Sequence, residues 1–390
     1  MQRAVIVEGA RTPIGRFLGS FAETPAVRLG ELAAREALRR AGIEPEQVDQ
    51  TIVGHARQAG NGPNTGRQVS MRAGVPEDVA GYNVNMACGS GMKAVQLGAQ
   101  QIMLGESEIV LVGGIENMSR VPYLLPDMRL GHRLGNTAAV DAMYRDGLLD
   151  PLCDLIMGET AENLVDMYDI SRAEQDEFAL RSHRNAQAGG ERRAAEMFPV
   201  ETTLARQTVT VAVDEHVRPD TTPASLAALA PVFREGGSVT AGNSSGLTDG
   251  AAALVLMSGS RADAEGREPL ATLAAMSWAG VPPRIMGLGP VPATRTVMDR
   301  LGCTIDDFEL IEINEAFAAQ VIACERELKL DRDRLNVNGG GISVGHPIGM
   351  SGTRIILSLA YEMRARDLSM GLATLCISGG QGLAVVLERT

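Results

Sequence analysis

The order of elements in this chain runs twice, and that repetition restricts its fold more than any single motif. In the first half AVIVEG (4–9) reads as a strand and LGELAAREALRRAG (29–42) as an amphipathic helix closed by Gly42, with Pro45 just beyond. VDQTIVG, GYNVNMA and EIVLVGG read as further strands, and the helix MKAVQLGAQQIMLG lies between the last two. In the second half PLATLAAMSWAG opens a similar series, ATRTVMDRLG is a helix and FELIEINEA a strand. Asn-Val-Asn at 83–85 returns at 336–338, each time followed by a glycine-rich turn and a helix. IVLVGGIENM (109–118) is echoed by LATLCISGGQG (372–382). Short β-rich runs alternating with helices define an α/β protein. Two runs of one order imply a duplicated unit, each half a sheet covered by helices.

At 390 residues the chain is longer than one ordinary core requires. Between the halves the texture changes to charges, methionines and loop-like stretches such as RPDTTPASLAALAP and FREGGSVTAGNSSGLTDG, and the chain returns with the strand AAALVLM (251–257). The expected organisation is an N-terminal half made of 1–119 and 249–269, an inserted loop domain at 120–248, and a C-terminal half at 270–390. Long insertions of this kind usually carry binding function.

Charge narrows the partners. The net charge is −12, and Lys93 and Lys329 are the only lysines, so arginine supplies every other cation. That balance argues against a nucleic-acid binder, which needs a basic face. An anionic small ligand would rely on a few local arginines. The five cysteines, Cys88, Cys153, Cys303, Cys324 and Cys376, are odd in number, widely spaced and without a CxxC pair. Such usage fits a reducing compartment and offers no zinc framework. The opening MQRAVIVEGARTPIG reads as strand and turn rather than as a signal or transit peptide, no apolar run approaches a membrane span, and the closing LERT is no address motif. A cytoplasmic enzyme without membrane contact is expected.

NVNMACGSGMKAVQLGAQQIM (83–103) sets Cys88 at the seam between a strand and a helix, where the helix dipole lowers a thiol pKa. Gly89 and Gly91 would let a substrate approach the backbone and free the first helical amides for an anion. On position alone Cys88 is equally a small buried apolar residue. The stretch also carries a rival reading. Gly89-Ser-Gly91-Met-Lys-Ala94 fits G-x-G-x-x-A after a strand, and Glu116 stands where a ribose-binding acid would, so a nicotinamide-dependent dehydrogenase is an alternative. That alternative leaves the second half unexplained. There EINEAFAAQ (312–320) puts Asn314 and Glu315 after a strand, NGGGISVGHPIGMSG (338–352) sets His346 among glycines and a proline, and CISGGQG (376–382) puts Cys376 at a strand end. Singly these are a cap, a loop histidine and a core thiol. Together they are harder to dismiss, because His346 and Cys376 both fall in glycine-lined turns at strand ends, where α/β sites form.

The set CGSG, NEAFA, GHPIGxSG and closing C-x-x-G-G-x-G, in that order, resembles the thiolases, acyl-CoA acetyltransferases. The resemblance runs from VIVEGARTPIG to GLATLCISGGQG and takes in MGETAEN (157–163), SRAEQDEFALRSH (171–183) and VTAGNSSGLTDGAAALVLMS (239–258). It implies the thiolase fold, two duplicated βαβ-type halves in a five-layered αβαβα arrangement with an inserted loop domain. It also implies reversible thiolytic cleavage of 3-ketoacyl-CoA by CoA, or Claisen condensation of two acyl-CoAs, through an acyl-cysteine. The split between acetoacetyl-CoA and longer substrates is left open.

By the matching motif positions, Cys88 would become acylated, and His346 would take its proton and help stabilise the enolate. Asn314 would hold a water completing that oxyanion hole, and Cys376 would act as general acid and base. The backbone amides of Cys88 and Ser378 would make a second oxyanion hole. Contacts to CoA would come from Arg218, Ser225 and Ser245, with Leu229, Phe233 and Ala241 as apolar lining and Met286 and Phe317 at the acyl pocket. No metal or redox cofactor is implied, CoA being a substrate, and a homo-oligomer, dimer or tetramer, is expected. A non-catalytic acyl-CoA-binding relative and a ketoacyl synthase are further alternatives. The four filled reactive positions weigh against the first and Cys376 against the second. The chain departs from the usual pattern at Ser378, where many relatives have glycine, and in GGGISVGHP, where GGAIALGHP is more usual.

Overall fold

Residues 2–389 are described by the computed structural model; Met1 and Thr390, the outermost residues of the two terminal stretches read above, lie outside them. The first half supplies β1 (Ala4–Arg11), α1 (Ala26–Ala41), β2 (Gln50–His55), α2 (Thr65–Arg72), β3 (Ala80–Val84), α3 (Ser90–Leu104) and β4 (Ile109–Asn117). Helix α1 stops at Gly42, which takes the left-handed conformation at φ 59° and returns its N–H to the Arg39 carbonyl. The excursion carries α4 (Met157–Tyr168), α5 (Arg172–Ala188) and a hairpin of Val200–Leu204 with Gln207–Val211 before β5 (Thr248–Ser258) rejoins the sheet. The second half supplies β6 (Ala271–Gly280), α6 (Pro290–Leu301), β7 (Leu310–Ile313), α7 (Ala318–Leu328), α8 (Ile348–Arg366), β8 (Met370–Ile377) and β9 (Gln381–Glu388).

Strand pairing repeats between the halves. In the first, β3 and β4 flank β2 in parallel, β4 pairs antiparallel with β5, and β5 with β1. In the second, β7 pairs parallel with β8, β8 antiparallel with β9, and β9 with β6. A parallel bridge from Leu335 to Ile311 takes the place that β3 holds in the first half, just before the second Asn-Val-Asn. The halves meet where β1 and β6 pair through Val5–Thr272 and Ile6–Ala271, giving the order β7-β8-β9-β6-β1-β5-β4-β2-β3.

Burial sorts these elements into five layers. Leu29, Ala33 and Ala37 of α1 cover Val5, Val53, Leu111 and Val255 on the outer face of the first sheet. The inner faces of both sheets close over Met92, Val95 and Ala99 of α3 and Ile355, Ile356 and Leu359 of α8. Val291 and Val297 of α6, with Val321 and Ile322 of α7, cover Ile311, Leu372 and Val386 on the far face of the second sheet. The result is the αβαβα arrangement that the sequence resemblance implied.

The two central helices touch through glycine. A Cβ on Gly91 would lie 2.6 Å from Thr353 Oγ1, one on Gly352 would lie 2.3 Å from Met92 N, and one on Gly89 would lie 2.5 Å from Ile377 Cδ1. These glycines therefore serve close packing, which corrects the expectation that Gly89 and Gly91 open the backbone to substrate. The same packing removes the dehydrogenase fingerprint. Glu116, its ribose-binding acid, is fully buried and accepts the Arg57 N–H at 3.1 Å and the Gly349 N–H at 2.9 Å.

Candidate active site

Cys88 sits in a turn built by its neighbours. Ala87 adopts φ 44°, a region uncommon outside glycine. The turn is held by Asn85 Oδ1, which accepts the Ala87 N–H at 3.0 Å, and by Ser90 Oγ, which accepts the Met86 N–H and donates to the Ala87 carbonyl at 2.7 Å. Cys88 is left half-buried against Ala56, Met118, Met143 and Ile348. Burial pushes its thiol pKa up. Arg57 and the N–H groups of Ser378 and of Cys88 itself pull it down, and Glu116 adds to the rise. The net shift is upward, so the expectation of a better thiolate at the helix start is corrected: loss of solvent outweighs the dipole.

His346 is buried at the entry to α8. Its Nδ1 lies 2.5 Å from Ser351 Oγ, which itself donates to the Pro347 carbonyl at 2.9 Å. Ser351 must then accept from His346 Nδ1–H, which assigns the lone pair to Nε2. The Asn314 amide donates toward that Nε2 at 3.3 Å. Burial, followed by the charges of Arg354 and Arg57, lowers the His346 pKa to about 3 and keeps the ring neutral.

Asn314 is fixed by its backbone N–H to the Thr374 carbonyl at 3.0 Å, and its buried Oδ1 has no partner among the described residues. Glu315 ties this turn to the glycine turn ahead of His346. It accepts from Ser182 at 2.6 Å, from Asn336 at 2.8 Å and from the Ile342 N–H at 3.1 Å. Gly340 makes room for that carboxyl, since a Cβ there would lie 2.3 Å from its carbon. Glu315 is thus structural.

Cys376 closes β8 among Val239, Met286, Ala316 and Phe317. Burial raises its thiol pKa well above the ordinary value, and the nearness of Cys88 and Cys324 adds to the rise. Gly379 and Gly380, at φ 85° and 78°, turn the chain into β9, and Asp150 from the excursion accepts the Gly379 N–H at 2.7 Å. That contact steadies the adjoining Ser378 amide, which faces the Cys88 sulfur.

The eight residues expected at CoA fall into two groups. Arg218, Ser225, Leu229 and Ala241 line one cavity of about 230 Å³, together with His183 and His216. Phe233, Met286 and Phe317 pack beside Cys376, the two phenyl rings meeting edge to face with centroids 6.0 Å apart. Ser245 adjoins this second group, its N–H bonded to the Ala316 carbonyl at 2.9 Å. Burial lowers the pKa values of His183 and His216 to about 4, and His183 Nδ1 accepts the Arg218 N–H at 3.3 Å. Sequence reasoning missed Arg57, Asp150, His183, His216 and Ser351. Ser351 alone had a local signal, a hydroxyl in the first turn of the helix that follows His346.

Fold and site together define an enzyme of the duplicated five-layer α/β class, with one thiol at a strand end and a second thiol and a neutral imidazole at the entries to the two central helices, a correction to the expectation that His346 lies at a strand end. The chain matches the family described as Thiolase, N-terminal domain over residues 4–260 and Thiolase, C-terminal domain over 267–389. The acetyl-CoA acetyltransferase of Pseudomonas aeruginosa is 48% identical over 392 residues, covering 100% of both chains. Among solved structures, that of the Bacillus anthracis acetyl-CoA acetyltransferase aligns with a TM-score of 0.98 at 46% identity, covering 100% of this chain and 99% of that one. Human mitochondrial 3-ketoacyl-CoA thiolase in complex with CoA aligns at 0.96 and 39%, covering 100% and 98%. The chain belongs to the thiolase family and is an enzyme of that family.

Proposed function

We propose that the protein cleaves 3-ketoacyl-CoA with CoA, and runs the reverse condensation, through an acyl group carried on Cys88. The observation that carries this reading is the neutral His346, its Nε2 beside the Asn314 amide, with Cys88 near enough to Cys376 to raise the Cys376 thiol pKa. His346 Nε2 takes the Cys88 proton, and the thiolate adds to the 3-keto carbon. The N–H groups of Cys88 and Ser378 receive the oxyanion. The C2–C3 bond then breaks, the acyl group stays on Cys88, and the acetyl-CoA enolate is held by the His346 N–H and a water on Asn314. A thiol that burial keeps protonated, Cys376, protonates the enolate carbon. Its thiolate then takes the proton of incoming CoA, whose sulfur takes the acyl group, and the departing Cys88 thiolate recovers its proton from His346.

Transfer between two thiols needs no metal or redox cofactor. The cavity beneath Arg218 would take the nucleotide end of CoA, with pantetheine passing Phe233 and Phe317 toward Cys376. A cytoplasmic homo-oligomer, dimer or tetramer, is part of the reading. No helix of the described residues is long and apolar enough to cross a membrane, and Tyr123, Leu130 and Leu134 offer exposed apolar surface that a second copy would cover.

The test is a thiolysis assay with CoA and a ladder of 3-ketoacyl-CoAs from acetoacetyl-CoA upward, run beside Cys88→Ala. Cleavage by the wild type alone supports the reading, and the slope along the ladder reports chain-length preference. Silence across the ladder from a folded protein that binds CoA would overturn it in favour of a non-catalytic acyl-CoA binder.

A further inference from the structure

The motifs account for the reacting groups, but none assigns a fixed positive charge to the centre. Arg57 is placed to supply one. Its neighbour Ala56 packs with Cys88, and the Ala56 carbonyl accepts from Asn85 Nδ2 at 3.0 Å, the same side chain that shapes the turn before Cys88. Arg57 is fixed at both ends. Its N–H donates to Glu116 Oε1 at 3.1 Å, and its Nη2 donates to the Gly147 carbonyl at 3.0 Å. Gly147 lies so close that a Cβ there would be 2.9 Å from Arg57 Nε, and this Nε is buried with no hydrogen-bond partner among the described residues. A guanidinium clamped in this way cannot swing out to solvent without breaking its contact to the excursion.

We propose that Arg57 is a positioning residue that lowers the proton affinity of the Cys88–His346 pair as a unit, favouring the thiolate and disfavouring the imidazolium. The proposal rests on the reading of Cys88 as nucleophile and His346 as its base. Ala56 packs with both Cys88 and Ile348, and Glu116 accepts from the N–H groups of Arg57 and of Gly349, three residues past His346, so Arg57 is held beside both groups and its charge acts on both. The other charged groups acting on them are Glu116 at Cys88 and Arg354 at His346, and Cys88 in turn raises the pKa of the neighbouring Cys376 thiol. Glu116 opposes Arg57 at the Cys88 thiol, so the pair titrates in a balance that removal of Arg57 would tip.

Alkylation of Cys88 by iodoacetamide tests this without requiring turnover. Its rate is followed from neutral to alkaline pH in the full-length protein, with Cys88 occupancy read by mass spectrometry, for wild type, Arg57→Met, Arg57→Gln and Arg57→Lys. The midpoint for Arg57→Met and Arg57→Gln should move up by about one pH unit, with Arg57→Lys recovering most of the shift. Two neutral variants guard against one of them failing to fold, which a thermal melt of each reports. A midpoint unchanged in the neutral variants overturns the proposal. So does Arg57→Lys shifting as far as they do, since that would assign Arg57 to packing against Gly147. A flat response in an enzyme that still cleaves 3-ketoacyl-CoA strikes this inference alone. A charge-dependent midpoint in a protein silent on the ladder strikes the proposed function alone.

Discussion

Ser351 decides which nitrogen of His346 is basic. Its hydroxyl proton goes to the Pro347 carbonyl, so it accepts from Nδ1–H, and the lone pair falls on Nε2, which faces the Asn314 amide. Ser351→Ala removes that acceptor and leaves a buried Nδ1–H unsatisfied, which favours the wrong tautomer. We expect turnover to fall about 10²-fold while CoA affinity stays within a few-fold; steady-state rates beside calorimetric titration check both. An unchanged turnover would show that the tautomer is set elsewhere. At this scale the sequence was legible where chemistry and backbone coincide, with Cys88, His346 and Cys376 each in or beside a glycine-rich turn and Asn314 just after a strand. It was silent on groups that act across the chain, such as Asp150 on Gly379 and Arg57 on Gly147. It also gave the wrong sign for the Cys88 shift, because the helix start is visible in a motif and the loss of solvent around it is not.

The two central helices bring Cys88 and His346 into one centre, because the thiol stands just before α3 and the imidazole just before α8. Their contact depends on Gly91, where a Cβ would lie 2.6 Å from Thr353 Oγ1 and 2.7 Å from the Gly349 carbonyl. Gly91→Ala should force the helices apart, costing about 1–3 kcal/mol in urea denaturation and lowering turnover along with stability. A stable, fully active variant would mean that the contact has slack. The strands and α1 were readable because their apolar residues follow one period and their ends carry Gly42-type stops. Helix α5 was not, since it buries Gln175, Asp176, Ser182 and His183, and so presents no apolar stripe. Its Ser171–Glu174 capping box was the available signal. The second half's counterpart to β3 could not be read from length, because it shrinks to a single bridge at Leu335.

Duplication, visible in the repeated order of elements, encloses polar groups as well as apolar ones, and that makes the stability of the whole molecule depend on pH in two opposed ways. His346 titrates at about 3 and His183 and His216 at about 4, each mainly through burial, against an ordinary 6.5. The unfolded chain binds protons that these folded sites refuse, so their contribution is complete above pH 6.5 and is lost as pH falls. Glu312 acts in the other direction: burial, opposed by Arg354, raises it to about 8 from 4.5, and burial raises Asp249 to about 6 from 3.8. The folded protein keeps those protons, so their contribution is complete at low pH and is lost as pH rises through the raised values. Between about 4.5 and 6.5 the three histidines outweigh Glu312 and Asp249 by roughly one proton, a margin narrowed by Glu315, whose pKa burial also raises, and stability rises at most gently with pH. Above 6.5 the histidine contribution is constant and Glu312 dominates, so stability declines toward pH 8 by at most about 1.4 kcal/mol per unit. Urea midpoints taken across this range should therefore peak near pH 6.5. Glu312→Gln should abolish the decline on the alkaline side whatever it does to stability overall, because glutamine has no proton to lose. A wild-type midpoint that stays level from 6.5 to 8 would mean that Glu312 is already ionised against Arg354, and the buried pair would then be an ion pair rather than an acid beside a cation.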